Sequence, residues 1–248
     1  MQLSEAEQGA LMEVGDFGAV TAGRLTEQLG TRTPWRRLVT AGLLKACRTQ
    51  RLGVVLGLTD RGARAYTELS GEPAPYVRAP GSLTDRAFQV EALSALKAEG
   101  YRLVQADRKL GGGVRGGAPT DLFVRFHLRV PEAQMEALEA YWGEGRPFGK
   151  GETYQAVLGH PVLYASLSGN GIQVSGARKL LSQHAGHITE WRYPLLIAVP
   201  EETREMRAYL RRVEAEDRAR WGRYAASRTR ADQPYIPPVR LLVVSPPQ

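Results

Sequence analysis

His184 and His187 stand three residues apart with Glu190 close behind, a spacing that on one helix could bring two imidazoles and a carboxylate to a metal ion. Gly186 lies between the histidines and reads better as a helix end, so no metal site is expected there. Gly111-Gly112-Gly113-Val114-Arg115-Gly116-Gly117 has the glycine content of a phosphate cradle, yet no Gly-Lys-Ser/Thr step follows it and no helix start lends its dipole. It is read as a flexible loop, with Lys109 and Arg115 placed to clamp a nucleic-acid backbone. Gly149-Lys150-Gly151-Glu152 fails the same test. No Ser/His/Asp or Cys/His spacing supports nucleophilic catalysis, and no cofactor is expected. Arg218 to Arg230 interleaves arginines with Trp221 and Tyr224, a pattern that can hold nucleic acid by charge and stacking. The longer stretch 201–226 mixes acids and arginines at helical spacing, which favours a solvated helix face.

Bulk composition narrows the classes. Hydrophobic residues at 43% and charged residues at 24% are ordinary for a globular protein, and 248 residues leave room for two domains. No apolar run approaches the roughly 18 residues of a membrane helix, and the first residues lack the basic-then-apolar order of a secretory signal. A lone cysteine, Cys47, excludes an internal disulfide and is read as a small buried residue rather than a redox switch. The expected location is the cytoplasm, in association with a nucleoid or plasmid. The net charge of +7 and pI near 9.7 suit a nucleic-acid partner. Only Lys45, Lys97, Lys109, Lys150 and Lys179 are lysines, however, and so heavy an arginine bias also reflects GC-rich codon usage. Position has to decide.

The elements that would position these groups follow from caps and periodicity. Ser4 with Glu7 forms a capping box for a helix to Val14, which Gly15-Asp16-Phe17-Gly18 should break. A second helix spans Thr21 to Leu29 and closes on Gly30. Thr33 caps a third, with Pro34 at its first position, running to about Ala46 with Leu38, Val39, Leu43 and Leu44 inward. Cys47-Arg48, a polar tip over residues 49–53 and Val54 to Leu58 read as a hairpin, and Thr59-Asp60 starts a helix to Leu69. Three prolines with small turn residues make 71–83 a linker. Beyond it, helices and strands alternate: a helix from Thr84 or Asp85 to Gly100, strands at Tyr101–Ala106 and Thr120–Val130, a helix from Pro131, a strand at Val157–Leu167, a helix at Ser175–Gln183, a strand at Tyr193–Val199, the charged helix, and a last strand at Val239–Val244.

Three short helices followed by a hairpin, with Ala41-Gly42-Leu43-Leu44 at the end of the third helix and Leu58-Thr59-Asp60-Arg61-Gly62 opening the next, resemble bacterial winged helix-turn-helix regulators of the MarR and related groups over residues 4–70. The resemblance implies that the third helix enters the major groove of double-stranded DNA, N-terminal part first. Thr31, Arg32, Thr33, Trp35, Arg36, Arg37 and Thr40 then fall on or beside the DNA face, and Arg48, Gln50 and Arg51 at the wing reach the backbone or minor groove. Trp35 has a second reading, as a core aromatic.

Residues 84–248 form the second, α/β domain of an α+β chain. Its element order resembles a degenerate restriction-endonuclease-like core, and a winged helix followed by such a core resembles the replication-relaxation family of plasmids and mobile elements. The matching residues are Pro119-Thr120-Asp121, Lys179-Leu180 and Pro194-Leu195-Leu196-Ile197-Ala198-Val199. An active core of that kind holds Mg²⁺ between carboxylates and steadies the attacking water with a lysine. Asp121 and Glu91 could supply acids, but His160 to Leu167 carries neither carboxylate nor lysine, so no cutting is expected. The expected protein is a double-stranded DNA binder in transcription regulation or replication, with a homodimer, or a replication or transcription protein, as further partners. The alternatives are a metal-dependent nuclease and a protein-interaction adaptor.

Overall fold

Ser4 opens the first helix as its sequence requires: its hydroxyl accepts from the Glu7 amide, and Glu7 reaches back to the Ser4 amide at 2.8 Å. In the computed structural model, which describes residues 2–74, 79–108, 123–132, 136, 162–185, 194–227 and 235–245, α1 (Glu5–Phe17) continues through the expected break at Gly15 and ends on Gly18, whose φ of 79° only glycine adopts readily. Gly15 serves packing, since the Tyr66 ring lies where a Cβ would stand, 1.9 Å from it. β1 (Ala19–Thr21) follows, too short for any alternation to mark it in the sequence. Thr21 caps α2 (Ala22–Leu29) through the Arg24 amide, and Gly30 closes it in the left-handed conformation.

α3 (Thr33–Thr40) is shorter than its sequence predicts. Its N-cap is Arg32, without a side-chain cap bond, and Gly42 at φ 70° turns the chain out of the helix. Leu43 and Leu44 therefore lie beyond α3, and Leu44 begins β2 (Leu44–Arg48), which takes Ala46 and Cys47 into a strand. β2 pairs antiparallel with β3 (Val54–Leu58), and β3 with β1, giving a sheet of order β1-β3-β2. α4 (Asp60–Ser70) starts at Thr59, whose hydroxyl accepts from the Gly62 amide and contacts the Gly42 and Leu43 carbonyl oxygens at 2.7 and 3.1 Å. Gly62 lets the first turn of α4 sit on the Leu43 carbonyl, 1.9 Å from where a Cβ would be. The Gly-Leu-Leu and Leu-Thr-x-x-Gly steps are thus two halves of one contact.

α5 (Pro80–Ala98) begins at Pro80, ahead of the predicted Thr84, because proline at the first turn loses no hydrogen bond. The second sheet has the order β4-β5-β6-β7-β8, from β4 (Arg102–Arg108), β5 (Phe123–Arg129), β6 (Val162–Leu167), β7 (Leu195–Val199) and β8 (Val239–Val243). Neighbours β4, β5 and β6 run antiparallel; β6, β7 and β8 run parallel. β7 is buried on both faces: Leu196 and Ala198 pack on the side of α5, while Leu195, Ile197 and Val199 meet Ala177 of α6 (Val174–Gln183) and Met206 and Leu210 of α7 (Arg204–Ser227). Seven helices and two sheets make the described chain a mixed α+β protein.

α5 lies between the sheets and joins them. Leu83, Ala87 and Phe88 share one apolar cluster with Ala19, Leu52 and Val55 of the N-terminal part and with Leu128, Ala165 and Leu196 of the five-stranded sheet. The other face of the small sheet, through Val20, Leu44, Leu56 and Leu58, packs on Leu11, Val14, Leu25 and Leu38. Loop 168–171 presses onto α5, where Gly169 leaves room for the Thr84 carbonyl and Phe88. Asn170 is held by Asp85 and by the Gly81 carbonyl. Gly62→Ala is expected to destabilise the chain by about 1–3 kcal/mol, despite alanine's better helix propensity, because the new methyl collides with a fixed carbonyl. Urea unfolding reads this as a lower midpoint at unchanged slope, and an unchanged midpoint would contradict the contact.

Candidate nucleic-acid interface

A groove of about 460 Å³ opens where α2, the start of α3 and the hairpin β2–β3 meet. Ala22, Gly23 and Thr26 form one wall, Trp35 the floor, and Arg32, Arg36, Arg48, Gln50 and Arg51 the rim. Six of the sequence-predicted contact residues therefore converge on one concavity, and among the described lining residues there is no carboxylate. Arg32, Arg36 and Arg48 line the groove with no lining acid, a charge and planar-fork geometry suited to a polyanion, while the fourth guanidinium, Arg51, is paired with Glu201.

The floor is built by apolar packing and one hydrogen bond. Trp35 is only 9% exposed, and its indole N–H donates to Thr26 Oγ1 at 3.2 Å. Trp35 is thus a core aromatic, as its second reading has it, and it also lines the groove. The Thr26 hydroxyl donates in turn to the Ala22 carbonyl, fixing the α2 wall. Arg36 lies 5.5 Å from the Trp35 ring centroid, a cation–π contact that holds its guanidinium over the groove. Thr26 and Gly23 were not singled out in the sequence, where a small polar residue on α2 carries no distinguishing mark.

The other predicted residues are placed differently. Thr33, Arg36, Arg37 and Thr40 form an exposed stripe at helical spacing on α3. Arg37 leans toward α1, 3.8 Å from Glu7, outside the groove lining. The Glu7 carboxyl is held below its ordinary range first by its bonds to Ser4 and then by the Arg37 charge. Thr31 accepts from the Thr33 amide and shapes the turn before α3, and Thr40 donates to the Arg36 carbonyl. Arg51 is engaged within the chain: it donates to the Asn170 carbonyl at 2.7 Å, lies 3.4 Å from Glu201, and stacks beside Gly171. The hairpin tip is therefore clasped to the second sheet's loops through Arg51, one of the three residues that the sequence reading assigns to the wing.

Glu91, the one acid considered for metal chemistry that lies among the described residues, is committed elsewhere. Glu91 is 7% exposed on the side of α5 that faces the N-terminal part; it accepts from Thr21 Oγ1 at 2.8 Å and sits 3.8 Å from Arg24, which also binds Glu13. His184 is buried at the C-terminal end of α6. Asp121, His187, Glu190, the glycine loop 111–117, residues 149–152, strand positions 120–122 and 157–161, and most of the helix expected from Pro131 lie outside the described residues. Among the described residues no group of three or more His, Cys, Asp and Glu could hold a metal ion. No helix among them is long and apolar enough to cross a membrane. Comparison of the chain with protein-family models, with curated proteins and with solved structures gives no match in any of the three.

Burial raises the Glu91 carboxyl above its ordinary range, Glu27 and Glu13 add to the rise, and the Thr21 hydrogen bond and Arg24 oppose it. A carboxyl whose pKa rises on folding holds its proton more tightly in the native chain, so its contribution to stability falls as pH climbs from the unfolded value, about 4.3, through the folded one. Glu91→Gln keeps an acceptor for Thr21 and carries no charge. Its stability relative to the wild type is expected to improve between pH 4 and pH 7. Urea unfolding at both values reads the difference, and a variant whose relative stability worsens over that rise would reverse the sign.

Proposed function

We propose that this chain is a double-stranded DNA-binding protein acting in transcription control or replication of a chromosome, plasmid or mobile element, with α3 reading the major groove. The observation that carries the reading is the groove between α2, α3 and the hairpin, rimmed by Arg32, Arg36, Arg48 and Arg51 and free of lining acids among the described residues. The element order α1-β1-α2-α3-β2-β3 supports the winged-helix reading of the N-terminal part. The order α5-β4-β5-β6-α6-β7 supports a restriction-endonuclease-like ancestry for the second part, and with it the replication-relaxation reading. A metal-dependent nuclease gains no support from Glu91, which is committed to Thr21 and Arg24. In this reading the second part supports the groove instead, because its loops hold the hairpin tip through Arg51. A single reading head covers few base pairs, so a second copy of the chain on an adjacent half-site fits the specificity that such a role requires.

Fluorescence anisotropy with a labelled duplex across a salt series tests the reading. Arg36→Ala/Arg48→Ala is expected to weaken binding about tenfold or more and to lower the salt slope by about 1.8, or 0.9 for each lost phosphate contact. Arg37→Ala, outside the groove, is expected to have the smaller effect. Wild-type affinity and slope in the double variant would remove the groove from the interface.

A further inference from the structure

Met206, Leu210, Asp217 and Trp221 are the buried positions of α7, and their spacing of four, seven and four turns one side of the helix inward. The opposite side carries Arg204, Arg207, Arg211 and Arg218, all exposed. Three of these recur at every seventh position, where an α-helix drifts by only about 20° per repeat, so they form one row along it. At 1.5 Å per residue the row is about 21 Å long. Ala208, Ala215 and Gly222 stand beside it, and a Cβ at Gly222 would meet nothing within 4 Å. No long side chain on that flank screens the guanidinium groups from a broad partner.

The row keeps a surplus of positive charge. Arg207 holds Glu202 at 2.6 Å and Arg218 holds Glu214 at 2.9 Å, while Arg204 and Arg211 have no ion pair among the described residues. Glu205 and Glu216 lie on the other flank, where Glu216 faces Arg212. The row also begins beside the arginine groove. α7 starts three residues after Glu201, the partner of Arg51 on the groove rim, so the acid at the junction is already answered.

Trp221, offered by the sequence as a stacking surface among these arginines, is only 7% exposed and packs in the cluster shared with α5. The positions of the row include no aromatic residue. Guanidinium groups without a stacking platform suit backbone phosphates rather than splayed bases, and so a duplex rather than a single strand.

The geometry points to α7 as a second duplex-binding surface, its Arg204–Arg211–Arg218 row lying along the backbone of double-stranded DNA that flanks the segment held in the groove. The inference rests on the duplex-binding reading above and extends it. A row of about 21 Å spans about six base pairs at 3.4 Å each. It grips phosphates without regard to sequence, and base readout stays with α3.

Fluorescence anisotropy of the full chain with a labelled duplex of about 30 base pairs, about three helical turns, tests the surface across a salt series. Arg204→Gln/Arg211→Gln is expected to weaken binding about tenfold and to lower the salt slope by about 1.8, or 0.9 for each lost phosphate contact. Arg220→Gln/Arg223→Gln removes the same charge from the other flank of α7 and should leave the slope near that of the wild type. All four positions are exposed, so unchanged thermal midpoints will show that neither variant unfolds the chain. A wild-type slope in the first variant, or equal losses in both, overturns the proposal. An equal loss on the single strand of the same sequence overturns the assignment to duplex. If Arg36→Ala/Arg48→Ala weakens binding and the row variant does not, the groove stands and the row alone falls. A loss confined to the row variant keeps the row and removes the groove, and no salt-dependent binding by the wild type overturns both.

Discussion

A three-stranded sheet beside three helices ordinarily has one face to bury. Here both faces are covered, and the second cover, α5, belongs as much to the five-stranded sheet as to the small one. Gly57 in β3 records how close the approach is: a Cβ there would stand 2.5 Å from Leu83 Cδ2. Burial of Leu83, Ala87 and Phe88 in a cluster that also contains Ala19, Leu52 and Val55 ties the hairpin's position to the second half of the chain by non-directional apolar packing. Directional bonds then fix the register: Thr21 to Glu91, Arg24 to Ser94, Arg86 to the Phe17 carbonyl, and Arg51 to Asn170. The same packing that buries Glu91 brings it Thr21 and Arg24, so its desolvation and its partners arrive together.

The groove inherits its shape from that constraint. Its walls come from α2, α3 and the hairpin, and the hairpin is also held from the second half of the chain. Leu52 and Val55 anchor it from below, and the Arg51 clasp holds its tip. Arg36 is aimed by the Trp35 ring, itself held by Thr26. Arg36 and Arg51 are thereby held in place by the chain's own contacts.

What could be read from the sequence was what local side chains enforce. Ser4 with Glu7, Gly30 and Thr59 mark helix ends by their own hydrogen bonds or backbone freedom, and those ends are found near where they were expected. The sequence places the end of α3 too late because Leu43 and Leu44 continue the helical apolar spacing after Gly42 has turned the chain. β1 has three residues buried on both faces and so shows no alternation. The start of α5 was hidden by prolines that resemble a linker. The arginine stripe of α3 was legible from helical periodicity. The division of labour within it was not, because Arg37 answers to Glu7 and Arg36 to Trp35. The Arg51–Glu201 clasp joins positions 150 apart and has no local mark at all.

The most direct test of the shared core is differential scanning calorimetry of the full chain beside Leu83→Ala. A core that spans both halves predicts one cooperative transition in the wild type. The variant should shift that whole transition downward, with a loss of about 2–5 kcal/mol for a fully buried leucine. Two separate transitions, with the one belonging to the N-terminal part unmoved by Leu83→Ala, would contradict the account.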